Sequence, residues 1–117
     1  MADETSISVP AELALEDWPL DPDQILEGDP RVRGVVLDED ESVERGVWEH
    51  SPGRSSDVEA DEMFLVLSGR ATIEIEGGPT LEVGPGDLGL LRAGERTVWT
   101  VHETLRKVFQ VTKRGGD

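Results

Sequence analysis

From Val32 onward the chain alternates short apolar stretches with Gly, Pro and Asp, and no window is long enough for an amphipathic core helix. The clearest period-two segment is Ala71 to Glu76, where Ala71, Ile73 and Ile75 share one face and Thr72, Glu74 and Glu76 the other. One face of that strand is expected to be buried. Turns at Gly77-Gly78-Pro79-Thr80 and Gly84-Pro85-Gly86-Asp87 lead into strands at Leu81 to Val83 and Leu88 to Leu91. Met63 to Leu67 is apolar at every position, which predicts a strand covered on both faces by a second sheet or a partner chain. The pattern predicts about eight to ten short strands between Val32 and Thr112, closed into a sandwich or barrel; a jelly roll protects its edges at this length.

Upstream, residues 1–17 hold no sustained period and carry Pro10 amid acidic residues, so they read as an irregular N-terminal arm, mobile or loosely laid on the domain. Order is expected from near Trp18. Asp21 is placed to cap a helix of one or two turns, with Pro22 at its first position and Gly28 beyond its end. The division is then an arm (1–17), one all-β domain (18–113) and a short tail (114–117). A net charge of −15 disfavours nucleic acid and anionic membranes and leaves small molecules or proteins as partners. The absence of cysteine excludes thiol catalysis, disulfides and cysteine-based zinc sites. With no apolar run of the ~20 residues that span a bilayer and no signal-peptide pattern, a cytoplasmic location is expected.

Two spaced motifs narrow the fold. Glu62 is followed after six residues by Gly69, and Gly86 after seven by Gly94, with Arg92 where a proline is usual. Together with Gly46-Val47-Trp48-Glu49, Pro52-Gly53, Asp61-Glu62-Met63-Phe64, Val66-Leu67-Ser68-Gly69, Trp99 and Arg106-Lys107-Val108, they resemble the cupins. Within these they resemble the ureidoglycine aminohydrolase and ethanolamine-utilisation subfamily. The likeness runs from Trp18 to Thr112. It implies a single-domain jelly-roll β-barrel of the RmlC-like type and, because cupins commonly pair through a sheet face, a homodimer.

In metal-binding cupins two histidines one residue apart, a glutamate and a third histidine converge on one ion, since side chains at i and i+2 share a face. Here the histidine pair falls on Ser55 and Asp57, or on Ser56 and Val58, and the third histidine on Thr97. Val101 stands where the second motif has asparagine, so only Glu62 remains. No metal and no other cofactor is expected. His50 and His102 lie off the motif: His102 reads as solvent-facing, whereas His50 shares parity with Trp48 and is a candidate for the barrel mouth. Asp57, Glu59, Asp61 and Glu62 offer oxygen ligands to a hard cation, but such a run in an acidic chain reads first as a hydrated loop.

Lys107 shares parity with Leu105, Phe109 and Val111 and therefore faces the core. A buried ammonium requires a carboxylate or a polar cavity, and Glu62 is the candidate partner. The resemblance implies the same, because the Arg-Lys dipeptide belongs to the subfamily's pocket. Trp99 shares parity with Thr97, and Trp48 would complete an aromatic wall. The candidate site is thus Glu62 and Lys107 as chemical groups, with Trp48, His50, Thr97 and Trp99 around a ligand. Three functions stay open. One is metal-free binding of a small polar or anionic metabolite. The resemblance implies another, an enzyme on a small nitrogen-containing or carboxylate metabolite, with Glu62 as base and Lys107 as electrophile. The third is a dimeric structural or regulatory barrel in which Glu62 and Lys107 only lock strand register.

Overall fold

The computed structural model describes residues 5–113; the expected tail at 114–117 and the first four residues of the arm lie outside the described residues. Nine strands form: β1 (Glu16–Asp17), β2 (Ile25–Glu27), β3 (Val32–Glu39), β4 (Val43–His50), β5 (Gly53–Val58), β6 (Asp61–Ile75), β7 (Thr80–Val83), β8 (Leu88–Leu91) and β9 (Arg96–Thr112). All pair antiparallel in one curled sheet, a single-domain jelly roll without an α-helix among the described residues. No helix among those residues is long and apolar enough to cross a membrane.

β9 is the spine of the barrel. Its first half, through Val101, pairs with β5 on one side and the end of β6 on the other; its second half, from Leu105, pairs with β4 and the start of β6. β6 follows this path because it bulges between Val66 and Ala71. Gly69 makes the bulge possible: its φ is +88°, and a Cβ there would lie 2.0 Å from the Thr104 carbonyl oxygen. The sequence predicts eight to ten short strands between Val32 and Thr112, whereas seven are found, because β6 and β9 run unbroken for 15 and 17 residues. A bulge bends a strand without ending it.

Inward positions of β6 and β9 supply the core: Phe64, Val66, Ile73, Trp99, Leu105 and Phe109 pack together, each contributing ~1.5–3 kcal/mol by burial. The double-sided covering expected of Met63 to Leu67 is not found within one chain. Phe64 and Val66 are buried, but Met63 and Leu65 are 43% and 40% exposed beside Leu90 and Leu88 on β8, which are 56% and 63% exposed. The strand obeys period two, and its outer face is apolar yet open.

The N-terminal segment is laid onto the barrel. β1 pairs Glu16 with Gly34 and Asp17 with Arg33, and Arg106 Nη2 donates to the Leu13 carbonyl at 2.6 Å. Trp18 then folds over Gly34, where a Cβ would lie 2.2 Å from its ring, and meets Phe109 edge-on at 6.4 Å. The helix predicted after Asp21 is one 3₁₀ turn, Pro22–Gln24, across which the Asp21 N–H donates to Gln24 Oε1 at 3.0 Å and the Gln24 N–H to the Asp21 carbonyl at 2.9 Å. It stops there because Ile25–Glu27 pairs with β5.

Candidate functional site

The parity read from β9 holds: Leu105, Lys107 and Phe109 are buried, as are Thr97, Trp99 and Val101. Lys107 sits opposite Trp48 on β4 and Val66 on β6, which sends its side chain into the barrel. Its Nζ lies 2.7 Å from Glu62 Oε2, the two side chains being 5% and 10% exposed. That contact is an ion pair off the hydrogen-bond direction, and Oε2 receives no well-directed hydrogen bond. Three rings enclose the ammonium, with centroids at 4.3 Å for Trp48, 4.6 Å for Phe64 and 4.7 Å for Trp99. Facing π-clouds offset part of its lost hydration.

A second polar cluster lies beside the first. Glu59 is buried, and its Oε2 accepts the Thr97 hydroxyl at 2.7 Å and the Trp99 indole N–H at 3.0 Å. Backbone bonds from Glu59 to Glu95 and from Gly94 to Glu59 fix the loop that carries it. The sequence assigned Glu59 to a hydrated loop, and this is corrected: pairing of β5 with β9 carries the chain end of β5 over Thr97 and Trp99. One signal was available, since an inward indole N–H requires an acceptor. His50 is also fully used. Its Nδ1 stands 2.6 Å from the Ser51 carbonyl and must donate, so Nε2 accepts the Ser55 hydroxyl at 2.8 Å. Burial, helped by the charge of Lys107, holds its pKa below the usual histidine value despite the Ser51 bond.

Glu62, Lys107, Trp48, His50 and Trp99 all line one cavity of about 200 Å³. Thr97 stands behind it and orients Glu59. Sequence reasoning did not place Trp18, Leu20 or Glu44 at the site, and met Asp57 and Glu59 only as carboxylates of a hydrated loop; all five line the cavity. Asp57 as a residue is exposed, yet burial around its carboxyl and the charge of Glu59 push its pKa up, against the Val58 N–H and Lys107. His102 lies outside, exposed and bonded to Thr72 at 2.9 Å.

These residues do not suit the ion that cupins commonly hold. Ser55 is committed to His50, Thr97 to Glu59, and Glu62 to the Lys107 ammonium. The oxygen-rich alternative diverges as well: Asp57 turns to the Val58 N–H, Glu59 to Thr97 and Trp99, Asp61 to the Ala93 N–H and Glu62 to Lys107. Among the described residues no three such groups close on a point where a metal could sit.

Comparison with known proteins bears on the family and the fold. A protein of unknown function from Pseudomonas syringae pv. tomato, of the DUF861 family, is similar over 86% of this chain at 28% identity and a TM-score of 0.77. The chain spans 45% of that protein's length. The EutQ protein of Clostridium difficile matches in fold at 17% identity and a TM-score of 0.65, covering 81% of this chain and 80% of its own. A putative ethanolamine utilization protein Q of Salmonella typhimurium gives 19% and 0.63, over 70% and 69% of the two chains. A search of curated protein sequences returns no match. The family profile of the EutQ-like cupin domain matches residues 37–109, a span that holds β4, the Glu62 and Gly69 motif and Lys107, and the chain therefore belongs to the EutQ-like cupin family.

Proposed function

We propose that this cupin binds a compact polar metabolite in its barrel without a metal ion. The observation that carries the reading is that Glu62, the one residue matching the cupin ligand motif, is paired with the Lys107 ammonium, which Trp48, Phe64 and Trp99 ring. Beside it remains a cavity of about 200 Å³, below the ~300–1,000 Å³ of drug-sized sites, so the occupant is small. A homodimer joined through Met63, Leu65, Leu88 and Leu90 belongs to the same proposal, since these four side chains form an uncharged strip in a chain with 32% charged residues. Elemental analysis and a thermal-shift metabolite screen on one untagged preparation test the binding reading. A stoichiometric transition metal, or no stabilising metabolite, would sink it.

An enzyme on a small nitrogen-containing metabolite, as the likeness to aminohydrolase cupins implies, is the second reading. One observation favours it: Asp57 and Glu59 line the same cavity as neighbouring carboxyls, and burial with the charge of Glu59 raises the pKa of Asp57, the kind of paired carboxyl that acid–base chemistry uses. Turnover of a screened metabolite that is lost in Asp57→Asn would favour this reading.

A further inference from the structure

The cavity is strongly acidic once its own ion pair is counted. Glu44, Asp57, Glu59 and Glu62 line it against one cation, Lys107, and His50 adds no charge while its Nε2 accepts from Ser55. Lys107 is already spent on Glu62 and three ring faces. An anion entering here would have to displace Glu62 while facing three other carboxylates. The anionic class weighed from the sequence is therefore disfavoured by the charge count.

We infer that the ligand is a small organic cation bearing N–H donors, an amine, amidine or guanidine, bound by Glu59 with Asp57 and Glu44 lining the same cavity. The inference rests on the pocket being a ligand site, as proposed above. Glu59 provides the built acceptor: it is 92% buried (8% exposed) and lines the cavity. Both bonds from Thr97 and Trp99 fall on Oε2. That arrangement fixes the carboxylate plane and leaves Oε1 to the occupant, as preorganised recognition requires. The aromatic walls suit the same class, since Trp48 and Trp99 already hold one ammonium at 4.3 and 4.7 Å. The chain's net charge of −15 also steers cations toward it.

Acetamidinium, acetamide and acetate share one shape and differ in charge, which isolates the class. Binding of each to the full chain is followed through the Trp99 indole N–H resonance. Acetamidinium is expected to shift it and to bind about tenfold tighter than acetamide, with acetate silent. Glu59→Gln keeps an acceptor for Thr97 and Trp99 and should abolish the preference, whereas Glu82→Gln on the outer surface should not; Asp57→Asn serves if Glu59→Gln does not fold. Preference for acetate or acetamide, or an acetamidinium response untouched by both cavity variants, overturns the inference. Silence from all three also overturns it. The pocket reading falls separately, if no member of the metabolite screen, of any charge, stabilises the protein or moves Trp99.

Discussion

Glu59 Oε2 accepts the Trp99 indole N–H at 3.0 Å across a separation of 40 residues, and the same oxygen takes the Thr97 hydroxyl at 2.7 Å. Removing the carboxyl strands two buried donors, whereas an amide still accepts from them. Glu59→Ala should therefore cost ~1–3 kcal/mol more than Glu59→Gln in urea unfolding. Equal midpoints would show that the network does not hold the barrel wall.

Lys107 and Glu62 form a buried pair 2.7 Å apart, so each single removal leaves an uncompensated charge. Glu62→Gln or Lys107→Met alone should cost ~3–5 kcal/mol, and the double variant much less than their sum. Additive effects in the double-mutant cycle would refute the coupling.

Burial disfavours the charged form of His50, so its folded pKa lies below the ordinary histidine value of 6.5. Between the two values the unfolded chain binds more protons, and stability contributed by His50 is present above the unfolded pKa and lost as pH falls through the folded one. Wild type should lose stability on acidification below about pH 6.5 more steeply than His50→Gln. Parallel stability curves would contradict this assignment. Asp57 acts in the opposite sense: its pKa is raised above 3.8, so its contribution weakens as pH rises, and Asp57→Asn should be the more stable protein at neutral pH.

Met63, Leu65, Leu88 and Leu90 are each more than one third exposed on adjoining strands. Light scattering should give a dimer mass at micromolar concentration, and Leu88→Glu should give a folded monomer. A monomeric wild type would remove the case for pairing through this face.

Local alternation determined much of this protein before any tertiary contact was known. Parity sent Lys107 inward among its apolar neighbours, and carried Trp99 inward with Thr97 once the resemblance to cupins gave Thr97 the third-histidine position, because a strand side chain can point only to one of two faces. The missing histidines were equally plain, since a ligand set is a matter of residue types at fixed spacing. The contact between Glu62 and Lys107 was legible from parity for the lysine and from the resemblance to the cupin motif for the glutamate, each being stranded without the other.

Tertiary structure decided the rest. Glu59 looked like one carboxylate among several in a hydrated loop until β5 paired with β9 and brought it to Thr97 and Trp99. The unbroken run of β6 depends on Gly69 lying against Thr104, a contact between distant segments that leaves no local period. Both faces of Met63 to Leu67 are apolar in the sequence, yet only the curl of the barrel chose which face Phe64 and Val66 would bury. The cavity's charge was hidden too, because Glu44 comes from a separate stretch of chain and the run from Asp57 to Glu62 reads locally as a hydrated loop. Electrostatic potential sums over distance in space, and sequence records only distance along the chain.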